Sequence, residues 1–269
     1  MVNNERVLVR NNVHVSGKGT QAMVFAHGFG CDQIMWRFLT PAFLQDYQLI
    51  LFDYVGSGKS DVKSYDKERY SNLTGYAQDV LEICHALSLK DIIFVGHSVS
   101  TMIGVLAAIQ QPEIFNNLIL IGPSPKYINE GEYFGGFEKD EMNDLMAAME
   151  KNNFLWANML APKVMRNPGR PELTEELTES FCAADPVIIR EFAEATFFSD
   201  NRNDLPKLKT PTLILQSSED LIAPLPVGKY VHDNIPSSKM TVLKAMGHCP
   251  HMSHPDETAQ AITNYLKGV

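Results

Sequence analysis

Short stretches of nearly unbroken hydrophobicity recur along this chain: Met23 to Ala26, Leu49 to Phe52, Ile92 to Val95, Leu118 to Ile121 and Thr212 to Leu215. Runs of this length suit strands, and a strand apolar on both faces belongs inside a parallel sheet that helices cover on each side. The segments between them carry the other period. Tyr76, Val80, Ile83, Cys84 and Leu87 fall at helical spacing, as do Met102, Ile103, Leu106 and Ala107 before Pro112. The alternation predicts an α/β fold, with a mostly parallel central sheet and helices on both faces. A last strand is expected over Met240 to Leu243, and a closing helix from about Pro255. At the start, Arg6 to Arg10 and Val13 to Val15 flank Asn11-Asn12 and predict a hairpin, while Gln33 to Leu44 predicts a helix.

From Pro123 to Ser199 the rhythm breaks. Glu138 to Asn152, Phe154 to Met165, Leu173 to Ala183 and Pro186 to Phe198 read as consecutive helices with no strand between them. Asp185-Pro186 supplies an N-cap and a first-turn proline for the last of these. The expected organisation is one core, residues 1–122 and 200–269, carrying residues 123–199 as an inserted four-helix lid. The lid is rich in aromatic side chains, which as a group imply an apolar cavity beneath it. His27, Phe134, Phe137, Trp156, Met159 and Phe197 are the candidate lining residues.

Chemistry is concentrated where apolar runs end. In Gly96-His97-Ser98-Val99-Ser100 a serine stands between small residues after a strand, the pattern of a turn that exposes a nucleophile; the usual second glycine is here a serine. His27-Gly28-Phe29-Gly30 follows an earlier strand, and its glycines allow the Phe29 amide to face a pocket. Together with the Val99 amide it would form an oxyanion hole. A serine hydroxyl needs a base, and the base needs a group to fix its tautomer. Asp220 and His248 follow late strands in the order Ser, acid, His. Glu219 is the alternative acid, and Asp220 is preferred because the loop turns there. His97 reads as a structural residue of the turn; His14, His85 and His232 read as ordinary surface or core positions.

Other classes fit less well. Gly58-Lys59-Ser60 imitates the end of a phosphate loop, but Asp53 occupies the required glycine position and would repel a phosphate. His248, Cys249, His251 and His254 have metal-ligand chemistry, yet a proline interrupts them and no cysteine pair accompanies them, so no metal or other cofactor is expected. A net charge of -9 without a basic block argues against nucleic acid. The four cysteines lack paired spacing, and neither a leader nor a membrane-spanning stretch is evident, so free thiols and a cytoplasmic location are expected.

The motifs around Phe29, Ser98, Asp220 and His248 resemble those of the α/β-hydrolase superfamily, as does the inserted lid. The runs His27 to Gln33, Leu51 to Gly58, Tyr76 to Leu81, Gly122 to Pro125 and Gly247 to Thr258 are similar to the bacterial RsbQ-like stress-signalling hydrolases, themselves similar to plant karrikin and strigolactone receptors. The resemblance implies a Ser98, His248, Asp220 triad with the Phe29 and Val99 amides as its oxyanion hole. It also implies a small hydrophobic ester- or lactone-like ligand, and regulation of a sigma factor through an RsbP-type phosphatase.

Overall fold

The computed structural model describes residues 4–268. Its centre is a seven-stranded sheet formed by β1 (His14–Gly17), β2 (Ala22–Ala26), β3 (Gln48–Leu51), β4 (Ile92–His97), β5 (Phe115–Ile121), β6 (Thr212–Glu219) and β7 (Ser238–Met246). The spatial order is β1-β3-β2-β4-β5-β6-β7; only β1 runs antiparallel to its neighbour. Every residue of β2 and β4 is buried, as expected of central strands apolar on both faces. The covering helices are α1 (Asn4–Arg10), α2 (Leu73–Ala86), α3 (Val99–Gln110), α8 (Leu225–Asn234), α9 (Pro250–Ser253) and α10 (Pro255–Lys267).

Four helices are inserted between β5 and β6: α4 (Lys139–Lys151), α5 (Asn153–Met165), α6 (Pro171–Ala183) and α7 (Pro186–Phe197). Asp185 caps α7 by accepting hydrogen bonds from the amides of Val187 and Ile188. Leu160, Leu177, Phe181 and Phe197 of the inserted helices line one cavity with Ser98 and His248.

Two local expectations fail. The hairpin expected at Arg6 to Arg10 is the helix α1, which packs on α2 through buried Val7 and the Arg10 ion pair with Asp79 at 3.0 Å. Asn12 does adopt a left-handed backbone, φ 45°, but it links a helix to β1, which pairs with β3. The single helix expected over Gln33 to Leu44 is instead two short 3₁₀ turns, Gln33–Trp36 and Thr40–Ala42. Pro41 removes an amide donor in the middle of that segment, which favours the break.

Candidate active site

Ser98 stands between β4 and α3 with φ 56° and ψ -124°, a backbone region that L residues rarely adopt. The turn is held at both ends: the Ser98 amide donates to Ile121 O at 2.9 Å, and the Thr101 amide donates to Ser98 O at 2.9 Å. Close packing explains Gly96, since a Cβ there would stand 2.7 Å from Ser100 O. Ser100, the departure from the usual glycine, donates its hydroxyl to His27 O and meets the Tyr54 hydroxyl at 2.9 Å. A polar strut thus joins the serine turn to the His27-Gly28-Phe29-Gly30 loop. Gly28 lets the two approach: its Cβ would lie 2.5 Å from His97 Nδ1 and 3.4 Å from Ser98 Cβ.

On the other side His248 Nδ1 donates to Asp220 Oδ2 at 2.7 Å, with both side chains almost completely buried. Asp220 Oδ1 accepts from the amides of Ile222 and Ala223 at 2.8 and 3.0 Å, so both its oxygens are used. Glu219, the alternative acid, points elsewhere and pairs with Arg166 at 2.6 Å. Gly122, at φ +59°, leaves room for the pair, because a Cβ there would be 3.0 Å from His248 Cε1. The His248 backbone is fixed by its amide, which donates to Val164 O at 2.7 Å, and by its carbonyl, which accepts from His97 Nε2 at 2.8 Å.

In the neutral imidazole that donates from Nδ1, His248 Nε2 carries the lone pair. It is buried and has no hydrogen-bond partner. Ser98 and His248 line the same small cavity, with Phe29, Phe181, Phe197 and Ile222 among its other walls. No hydrogen bond joins the Ser98 hydroxyl to His248 Nε2.

The six expected lining residues separate into different environments. Phe197 lines the cavity, and Trp156 is buried behind it, 6.2 Å from the Phe29 ring. His27 is fully buried beneath the site, its Nε2 accepting from the Tyr54 amide and its Nδ1 donating to Gly28 O. Phe134 and Met159 are 48% and 63% exposed, and Phe137 is half-buried at the edge of the core; none of these three lines the cavity beside Ser98. Leu160, Val164, Leu177, Phe181, Cys31 and Cys249 fill the places expected of them.

Sequence reasoning also passed over Tyr127. Its buried hydroxyl lies near Ser98 and Asp220 without completing a hydrogen bond, and burial pushes the phenol up to about 12. The available signal was its position in the loop that leaves β5, a strand end where α/β sheets place their sites.

Donor atoms of His97, Cys249 and His251 lie within 4.8 Å of one another, making them the described residues best disposed toward a metal ion. His97 already spends Nε2 on the His248 carbonyl, and His251 packs its ring between Trp36 at 4.6 Å and His97 at 4.4 Å. Burial lowers both imidazoles, His251 to about 3 and His97 well below the ordinary histidine range, helped by the neighbouring histidines. Both rings are therefore neutral near neutral pH. Burial also pushes the Cys31 and Cys249 thiols up, so neither is poised as a thiolate nucleophile. Asp53 accepts from the amides of Gln33 and Lys59 and so organises the loop that imitates a phosphate site. Among the described residues no helix is long and apolar enough to cross a membrane.

Residues 23–261 match the model of the "Alpha/beta hydrolase family". The chain is 37% identical over 257 residues to a karrikin insensitive 2 receptor of Petunia hybrida, covering 95% of each chain. It is 35% identical over 261 residues to a strigolactone esterase of Arabidopsis thaliana, covering 97% of each. The solved structure of a hydrolase from Oleispira antarctica superposes with a TM-score of 0.96 at 43% identity, covering 99% of this chain and 98% of that one.

Proposed function

We propose, from the premise that this chain belongs to the alpha/beta hydrolase family, that it is a serine hydrolase of small, hydrophobic esters or lactones. In this reading Ser98 is the nucleophile, His248 the general base and Asp220 the residue that fixes the imidazole tautomer. Nε2 takes the Ser98 proton as the hydroxyl attacks the carbonyl carbon. The tetrahedral oxyanion is met by the Phe29 and Val99 amides; the leaving alcohol takes the proton back from His248. Water then hydrolyses the acyl-enzyme by the same route in reverse. The observation that carries the reading is the buried 2.7 Å contact between Asp220 and His248, whose remaining nitrogen opens on the cavity shared with Ser98. Residues 123–199 act as the lid, excluding water from the acyl-enzyme and selecting the ligand.

A second role, as a ligand-controlled regulator acting through an RsbP-type phosphatase on a sigma factor, draws support from the receptors among the relatives. The exposed Phe154, Leu155 and Met159 on α5 offer it a surface. Turnover of a panel of short esters and lactones by the wild type and Ser98→Ala tests the first role. Turnover in the wild type alone supports it, and equal turnover in both contradicts it. Activation of the phosphatase in a reconstituted pair, with and without lactone, tests the second.

A further inference from the structure

The cavity beside Ser98 is small, about 30 Å³, far below the size usual for small-molecule sites. A neighbouring cavity of about 430 Å³ falls within the range of about 300–1,000 Å³ usual for small-molecule ligands. It is bounded by the core loops at Gly30 to Met35 and Val55 to Lys59 on one side and by α6 and α7 on the other. Cys31 and Leu177 are the two residues that line both cavities. They come from opposite walls, Cys31 from the loop that carries Phe29 and Leu177 from the inserted helix α6.

Leu177 is held against the core by tethers on both sides of it. Glu176 pairs with Arg37, and the Ser180 hydroxyl donates to Gly30 O at 2.7 Å. Gly30, at φ +68°, admits the insertion closely: a Cβ there would come 2.4 Å from the Phe181 ring. Both tethers are partly solvent-accessible and can break without exposing a buried charge. The larger cavity has walls of Val55, Ile188, Ile189 and Phe192. Its rim bears Asp32, Glu176, Glu179 and Asp185 against Lys59, a balance that disfavours anions.

We infer that the larger cavity is a second ligand compartment, which takes the bulky uncharged body of an ester or lactone whose compact carbonyl end reaches Ser98, and that Cys31 and Leu177 form the gate between the two. This inference rests on the serine-hydrolase reading for its catalytic consequence but not for the binding itself. A competing compartment of about 310 Å³ lies between α4 and α5 and shares only Leu160 with the Ser98 cavity. Leu160 lies within a single helix between buried Trp156 and Val164, whereas parting Leu177 from Cys31 needs only a shift of α6 from the core.

The test compares two acetates that differ in the alcohol, vinyl acetate and 1-naphthyl acetate, and adds direct titration with 1-naphthol. Leu177→Phe should lower kcat/KM for the naphthyl ester by about tenfold or more while changing vinyl acetate far less, and Leu177→Ala should raise the naphthyl ester relative to vinyl acetate. Val62 is 47% exposed and lines only the larger cavity, so Val62→Trp can fill that cavity with little risk to the fold. Val62→Trp should weaken 1-naphthol binding about tenfold, and Ser98→Ala should leave that binding intact. Parallel changes in both acetates, or unchanged naphthol binding in Val62→Trp, would overturn the inference. Loss of naphthol binding in Met159→Trp instead would assign the body to the groove between α4 and α5. Turnover that survives Ser98→Ala would refute the serine reading, while the naphthol titration would still decide the compartment.

Discussion

The two halves of the candidate site are held by different forces. On the core side Ser98, Asp220 and His248 stand at strand ends, each fixed by short buried hydrogen bonds of its backbone or carboxylate. On the inserted side α5, α6 and α7 contribute Leu160, Leu177, Phe181 and Phe197, held by packing and by peripheral ties such as Tyr65 to Glu191 at 2.9 Å. Directional bonds in a dry interior fix atoms within tenths of an ångström, as proton transfer requires. Apolar contacts fix volume and shape with less directional constraint, which suits a wall that must admit ligands of several forms. Damage to the core side should therefore remove chemistry, and damage to the inserted side should change selectivity or stability.

The largest effect is expected at Asp220. Asp220→Asn frees the His248 tautomer while keeping the shape of the pocket, and kcat should fall by about 10⁴ with substrate binding little changed. Single-turnover kinetics with a short ester checks this. A fall of less than tenfold would mean that the carboxylate is structural.

Where the core loop meets the inserted side, Gly30→Val would drive a branched side chain into Phe181 at a left-handed backbone position. The expected loss is about 2–3 kcal/mol of stability, with α6 the first element to lose amide-exchange protection. Uniform loss of protection across the sheet would contradict a separable insertion.

The buried histidines give the core side an imidazole titration, and the inserted helices carry no histidine. Burial pushes the His251 imidazole down to about 3 in the folded chain, against about 6.5 for an ordinary histidine in the unfolded one. Between those values the unfolded state binds the proton and the folded state does not, so this contribution to stability is complete above about pH 6.5 and is lost as the pH falls toward 3. His251→Phe keeps a ring between Trp36 and His97 and should flatten the acid side of a plot of Tm against pH. Equal slopes in variant and wild type would remove His251 from the account.

The smallest effect is expected at the start of α7, where Asp185→Ala should cost about 1 kcal/mol by removing the cap. Denaturant unfolding measures it. Vinyl acetate kcat should be unchanged, because Asp185 stands at the rim of the outer cavity and does not line the one beside Ser98.

The same division governs what could be read from the sequence. Ser98, Asp220 and His248 could be grouped from the sequence because each lies within five residues of the end of an apolar run, and strand direction places those ends together. The four inserted helices were legible from caps, proline and spacing. Which side of each helix faces the ligand was not. On α5 Phe154, Leu155 and Met159 face outward while Trp156, Leu160 and Val164 face inward, an orientation set by contacts with α4 and α6 that span the insertion. Aromatic character therefore marked Phe134 and Phe137 as lining, and missed Leu177 and the two cavity thiols. The start of the chain misled for a related reason. Val7 and Val9 alternate as in a strand, but only Val7 is buried, beneath a helix whose Arg10 ion pair joins residues far apart in sequence.

The central claim, that burial and hydrogen bonding make Ser98 a nucleophile through His248, is tested most directly by a fluorophosphonate probe with the modified residue located by mass spectrometry. The account predicts rapid labelling at Ser98 in the wild type and labelling slowed by at least about 10³ in folded His248→Ala. Labelling at another residue, or at an unchanged rate without His248, would contradict it.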